Sequence, residues 1–199
     1  MSGKHEIERN AGLIKPFVDT DVLGPKLYPS DADYDFCQSY KAKKYVCMAP
    51  TSVWFTKQWP KENWIKLIAQ FDKGTKIYLL GAANDVDACE FIRLQADNDN
   101  TENLAGKLSF MQSAALMKDA SMNYVKDSAP IHIASAMIAP TVAIYCSTLP
   151  SFGFGPLSDK SSIVEYKGEL ACRPCGLHGK SKCPEGHFRC SDTLNQLVT

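Results

Sequence analysis

Neither sign of charge predominates in this 199-residue sequence: 22 Lys and Arg stand against 22 Asp and Glu, and no run of like charge occurs. That absence excludes the electrostatic footprint expected for DNA, RNA or an anionic membrane surface. Long apolar runs are missing as well. The most apolar stretch, Ile131 to Cys146, covers sixteen residues and is broken by His132, Ser135 and Pro140, too short to span a bilayer. The start, MSGKHEIERN, is polar and charged and lacks the apolar centre of a secretory leader. A cytoplasmic protein is the expectation.

Several motifs are absent too. The chain has no G-x-x-x-x-G-K-[ST] and no G-x-G-x-x-G after a strand pattern. It also has no G-x-S-x-G and no H-E-x-x-H. A P-loop ATPase, a simple dehydrogenase, an α/β-hydrolase and a zincin are thereby disfavoured.

What is present is alternation. Residues 4 to 15, KHEIERNAGLIK, place Ile7, Ala11 and Ile14 on one helical face. Residues 16 to 43 show no period and read as a linker, so 1–43 forms an amino-terminal helix and lead-in. From Lys44 onward, strand patterns (KYVCMA, TKIYLLG, ENLAG, SMNYVKD, PTVAIYC and a weaker SSIVEYK) alternate with helix patterns. The first helix opens at Trp59-Pro60 and faces the core with Trp64, Leu67, Ile68 and Phe71; another carries Ser109 as its N-cap. This predicts an α/β domain over 44–170, a Rossmann-like parallel sheet with helices on both faces. Residues 171–199 form a cysteine-rich end. In such sheets ligands lie beyond the carboxyl ends of the strands.

The strand exits hold the candidate chemistry. After the first strand, Thr51 and Ser52 can donate hydroxyl bonds and Lys57 offers a cation, a pattern suited to phosphates; the competing account is a solvated surface lysine. After the second, Gly81 allows close approach of a base or ribose, while Asp85 reads as a first-turn helix residue. After the fourth, Asp127 precedes a helix N-terminus with Ser128, Pro130 and His132, where unpaired N–H groups favour an anion. An Asp-Ser cap with a packed histidine is the bland alternative there. Gly153 and Gly155 read as turn residues.

Taken in order, APTSVWFTKQWP, IYLLGAANDVD, NLAGKLSF and VKDSAPIHIASAMIAPTVAIYCST, followed by the cysteine-rich end, resemble glycosyltransferase family 9, the ADP-heptose:lipopolysaccharide heptosyltransferases. The resemblance runs over about residues 45 to 190. It implies the carboxy-terminal, donor-binding half of a GT-B enzyme that moves a heptose or related sugar from an ADP-sugar to a lipopolysaccharide-core or other glycan acceptor. Lys57 with Ser52 and Thr51 would hold the donor phosphates, and Leu108 would border the adenine. Asp127 would contact the donor sugar, while Ser128, Ala129 and His132 hold the diphosphate. The reaction would need no metal or other cofactor. Ala129 and Pro130 depart from the family's Gly and its neighbour, and Cys146-Ser147-Thr148 from its Gly-Pro-Thr. Family members also carry an amino-terminal acceptor domain with the general base; this sequence starts about where that domain would end, so the expectation is either a fragment or a partner domain on a separate polypeptide. The expectation is therefore a chain inactive by itself, in an enzyme that could attach peripherally to the inner face of the cytoplasmic membrane.

Cys172, Cys175, Cys183 and Cys190, with His178 and His187 nearby, leave three accounts open: a structural zinc, disulfides, or reduced thiols under a loop. The rival functional reading is a non-catalytic nucleotide-binding or zinc-stapled interaction module.

Overall fold

The computed structural model describes residues 3–19 and 24–197. Six strands form one parallel sheet: β1 (Tyr45–Met48), β2 (Lys76–Leu79), β3 (Thr101–Asn103), β4 (Asn123–Lys126), β5 (Thr141–Tyr145) and β6 (Ser161–Glu165). Their spatial order is β3-β2-β1-β4-β5-β6, the arrangement of a doubly wound nucleotide-binding sheet. Strands β1 and β5 are buried at every position, as a sheet covered on both faces requires.

Among the described residues six α-helices accompany the sheet: α1 (Glu6–Ile14), α2 (Asp31–Cys37), α3 (Lys61–Ile68), α4 (Val86–Gln95), α5 (Phe110–Asp119) and α6 (Ala129–Ala136). Trp64, Leu67 and Ile68 of α3 and Cys89 and Ile92 of α4 pack on one face with Val46, Ile77, Leu79 and Ile144. Ala114 to Met117 of α5 and Ile131 and Ala134 of α6 pack on the other with Tyr45, Cys47, Tyr78 and Tyr145. Ser109 caps α5 as its sequence predicts, accepting from the Gln112 N–H while Gln112 reaches back to the Ser109 N–H.

Three expectations change. The stretch read as a structureless linker contains α2, whose Ser30 and Asp33 form a capping box, and Cys37 is drawn wholly into the core. A seven-residue helix is too short to display a period, so the cap was the readable signal. Helix α1 forms, but its apolar stripe is only partly covered among the described residues: Ile7 and Ala11 are half-buried, no residue is fully buried, and Leu13 and Ile14 are exposed. It docks through its start instead, with the Glu6 N–H donating to the Gly153 carbonyl at 2.9 Å and the His5 ring meeting the Gly155 carbonyl at 3.2 Å. The turn residues Gly153 and Gly155 are therefore its landing site.

The third concerns the cysteine-rich end. It lies along the α3 face, with the Trp59 indole donating to the Ser191 carbonyl at 3.0 Å and Cys190 inside the core. All eight cysteines are free thiols. Among the described residues no three His, Cys, Asp or Glu side chains come together to hold a metal ion, so the zinc account is not supported. The reason is local: core packing takes Cys190, whose thiol burial pushes up to about 12, leaving Cys172 against His187 at 3.8 Å. No helix among the described residues is long and apolar enough to cross a membrane.

Candidate functional site

Parallel strands place all their exits at one edge, and this strand order puts the exits of β1 and β4 side by side. The two strands are paired, Cys47 with Asn123 and Met48 with Tyr124. The direction of winding reverses between them, leaving a crevice at that edge.

The two loops meet there through charge. Lys57 Nζ lies 2.6 Å from Asp127 Oδ2, with both side chains largely buried. The Thr148 hydroxyl donates to the same carboxylate oxygen at 2.7 Å. His132 stands one turn into α6, its ring open to solvent and edge-on to Phe154. Its pKa is held below the ordinary histidine value, first by partial desolvation and further by His5 and Lys57, against the pull of Asp127. At neutral pH the ring is thus an uncharged donor and acceptor.

The β5 exit is the keystone of this arrangement. Ser147 and Thr148 are fully enclosed, and each holds one of the two loops. The Ser147 hydroxyl donates to Thr56 Oγ1 at 3.0 Å beside Lys57, while Thr148 holds Asp127. Arg173 grips the backbone of the same exit, donating to the carbonyls of Cys146 (2.7 Å) and Thr148 (2.9 Å) and to Glu165 (2.6 Å). The tail closes the turn from outside: the Lys180 N–H donates to Thr56 Oγ1 at 2.7 Å and the Thr56 N–H to the Lys180 carbonyl at 3.1 Å. Gly179, at φ +80°, sits where a Cβ would come within 3.1 Å of Lys57 Cγ.

Next to this polar cluster opens a cavity of about 470 Å³. Thr51, Ser52, Gly81, Leu108, Ser128 and Ala129 line it together with Leu80, Met117 and Ile133. Phe110, over half exposed on the first turn of α5, stands at its mouth. The nine residues singled out from sequence therefore divide into an apolar chamber with hydroxyls at its edge and a polar group of Lys57, Asp127 and His132. A volume in this range suits one small organic ligand with a few fixed polar contacts.

Two details differ from the sequence reading. Gly81 is needed because Asp85 packs on it: a Cβ there would fall 2.7 Å from Asp85 Cβ, and the Asp85 carboxylate accepts from the Ala82 N–H at 2.8 Å. The glycine thus admits a side chain of its own chain, and Asp85 is the helix-entry residue. Ser128 occupies the N-cap of α6 without a side-chain cap bond. Its N–H is engaged by the Lys126 carbonyl, to which the hydroxyl also makes a long 3.5 Å bond, and Pro130 has no N–H, so the terminus offers the Ala129 N–H and a weakly held Ser128 hydroxyl.

Sequence reasoning missed Thr56, Ser147, Thr148, Arg173 and Gly179. The adjacent hydroxyls of Ser147 and Thr148 directly after a strand were a usable signal. Arg173 and Gly179 act on or through backbone and gave none.

The family description "Glycosyltransferase family 9 (heptosyltransferase)" matches residues 1–184. The chain belongs to glycosyltransferase family 9. A curated lipooligosaccharide heptosyltransferase 2 of Haemophilus influenzae is 34% identical over 119 residues, which is 57% of this chain and 34% of that protein. The solved ADP-heptose LPS heptosyltransferase II of E. coli superposes with a TM-score of 0.67 at 25% identity, over 90% of this chain and 55% of that one. A family 9 glycosyltransferase from Veillonella parvula shares the fold, with a TM-score of 0.73 at 19% identity over 96% of this chain and 60% of that one. This family 9 chain thus spans between a third and three fifths of the length of these relatives.

Proposed function

We propose that this chain is the donor-binding half of a heptosyltransferase, taking an ADP-sugar and supporting transfer of its sugar to a lipopolysaccharide-core or related glycan hydroxyl. The observation that carries the reading is the meeting of Lys57 with Asp127 of the β4 exit, directly before Ser128 and Ala129, which line an apolar cavity. The adenosine occupies the cavity, edged by Leu108 and Phe110. The diphosphate lies across the Thr51–Ser52 turn toward Lys57, the Ser128 hydroxyl, the Ala129 N–H and His132. ADP-heptose is the donor named for the E. coli relative of similar fold.

The chemistry follows from where charge develops. Departure of the diphosphate leaves negative charge on its oxygens, and Lys57 with the α6 terminus stabilises that charge without reorganising. Lys57 is neutralised by Asp127 in the resting site, so an arriving phosphate competes for its ammonium. The carboxylate thus released accepts hydroxyl bonds from the departing sugar, whose cationic character it also favours. No carboxylate of this cluster is left over for a general base, so the base belongs to an acceptor-binding domain. The chain alone then binds donor without turning it over. We propose a cytoplasmic site for the reaction, with the acceptor presented at the membrane's inner face.

Calorimetric titration tests this reading. ADP is expected to bind at least tenfold more tightly than adenosine, because charge-assisted phosphate contacts contribute on the order of 1.5–3 kcal/mol. Equal affinities for the two ligands would remove the diphosphate from the proposed site.

A further inference from the structure

Lysine is among the side chains least suited to complete enclosure, because an ammonium without a partner keeps none of its hydration. Lys126, the last residue of β4, is nonetheless 0% exposed. Its terminal nitrogen donates to the carbonyl of Thr51 in the β1 exit. None of the ion pairs formed among the described residues includes it. The titratable groups facing it are Cys146 from the β5 exit, Asp85 from the turn before α4, Cys89 on α4, and Asp127 beside it in the chain. Both thiols are pushed up by burial, Cys89 to about 12, and stay neutral. Asp127 is already neutralised by Lys57. Desolvation dominates, and it lowers the Lys126 amine to about 7.

The place of this amine gives it a use. Thr51, Ser52, Asp85 and Ser128 all line the cavity, so the segments packed around Lys126 are those that form the cavity's phosphate-side edge. A methionine of similar length would fill the space without an unpaired charge and would make the protein more stable.

We propose that Lys126 is a proton-binding positioning residue for a nucleoside diphosphate: phosphate bound against the Thr51–Ser52 turn draws a proton from solvent onto the buried amine, and the resulting ammonium holds the turn in its binding geometry. The inference rests on the donor-site reading above. Only an N–H bond forms, and the proton comes from the buffer.

Titration of ADP at pH 8, in two buffers of different ionisation enthalpy, reads the proton directly. At that pH a terminal phosphate, with its second pKa near 6, is fully ionised. A free amine with its pKa near 7 is about one-tenth charged there, so uptake of several tenths of a proton per ADP is expected. Lys126→Met should abolish the uptake and weaken ADP about tenfold while leaving adenosine affinity unchanged. His132→Gln, although weaker in binding, should retain the uptake.

Stability supplies the readout that a merely structural role would move the other way. The folded amine loses its proton near pH 7, the unfolded one only above 10, so the wild-type chain gains stability as pH rises through that window. Lys126→Met should therefore raise Tm by a few degrees at pH 6, with a smaller advantage at pH 9.

No uptake by the wild-type chain, uptake unchanged in Lys126→Met, wild-type ADP affinity in that variant, or a lowered Tm would each overturn the inference alone. ADP binding no better than adenosine to the wild-type chain would overturn the donor-site reading and this inference with it. Should Lys126→Met fail to fold, the wild-type uptake still decides.

Discussion

Lys57→Ala is expected to weaken ADP binding about 30- to 150-fold, while adenosine binding stays within twofold. The change removes a charge-assisted contact to phosphate, on the order of 2–3 kcal/mol in a partly enclosed site. It also leaves the Asp127 carboxylate with only the Thr148 hydroxyl, and an unneutralised carboxylate repels the diphosphate. These two effects separate experimentally. Asp127→Asn alone should tighten ADP, because it frees Lys57 and removes a negative charge, while weakening discrimination in favour of a sugar-bearing donor. In the Lys57→Ala background, where the carboxylate is not neutralised, Asp127→Asn should gain about 1 kcal/mol or more beyond its gain in the wild type, and that difference is the coupling energy between the two positions. Calorimetry on the four proteins measures the cycle. Strict additivity would mean that the two side chains act on the ligand independently and that the ion pair between them has no bearing on binding.

The second large effect is on stability. Arg173→Ala should destabilise the fold by about 3 kcal/mol, since it removes bonds from one guanidinium to three backbone carbonyls and a carboxylate. For a chain of this size that corresponds to a Tm lower by roughly 6–12 °C. The same change loosens the exit that carries Ser147 and Thr148, so ADP affinity should fall too, by about fivefold. Arg173→Lys should restore little, because a single ammonium cannot reproduce the forked donor geometry. Thermal unfolding with parallel ADP titration checks both parts. A Tm within 2 °C of wild type would show that the tail rests on the domain without bracing it.

How far the sequence could be read depended on what kind of information each feature carries. The strands and the helices α3 to α6 announce themselves as apolar runs with caps, of which Ser109 and Gln112 are the clearest. The strand exits carrying Thr51, Lys57, Asp127 and His132 followed from the alternation, because every exit of a parallel sheet faces one way. The spatial order of the strands was not legible in periodicity, and it is this order that brings Lys57 onto Asp127. Resemblance to family 9 implied that the two exits serve one donor site, but not that Lys57 and Asp127 pair with each other. Helix α2 was missed because seven residues hold no period. The bracing by Arg173, Lys126 and Lys180 was missed for a deeper reason: all three engage backbone groups, which every residue possesses and no sequence pattern marks. Gly179 looks like any loop glycine until the Lys57 side chain is found beside it.

The most direct measurement is the structure of this chain with ADP bound. The account predicts adenine inside the chamber edged by Leu108 and Phe110, with the terminal phosphate within hydrogen-bonding distance of Lys57 and the Lys57–Asp127 pair lengthened or broken. Nucleotide density elsewhere on the sheet edge, or an intact pair with the phosphates turned out to solvent, would contradict it.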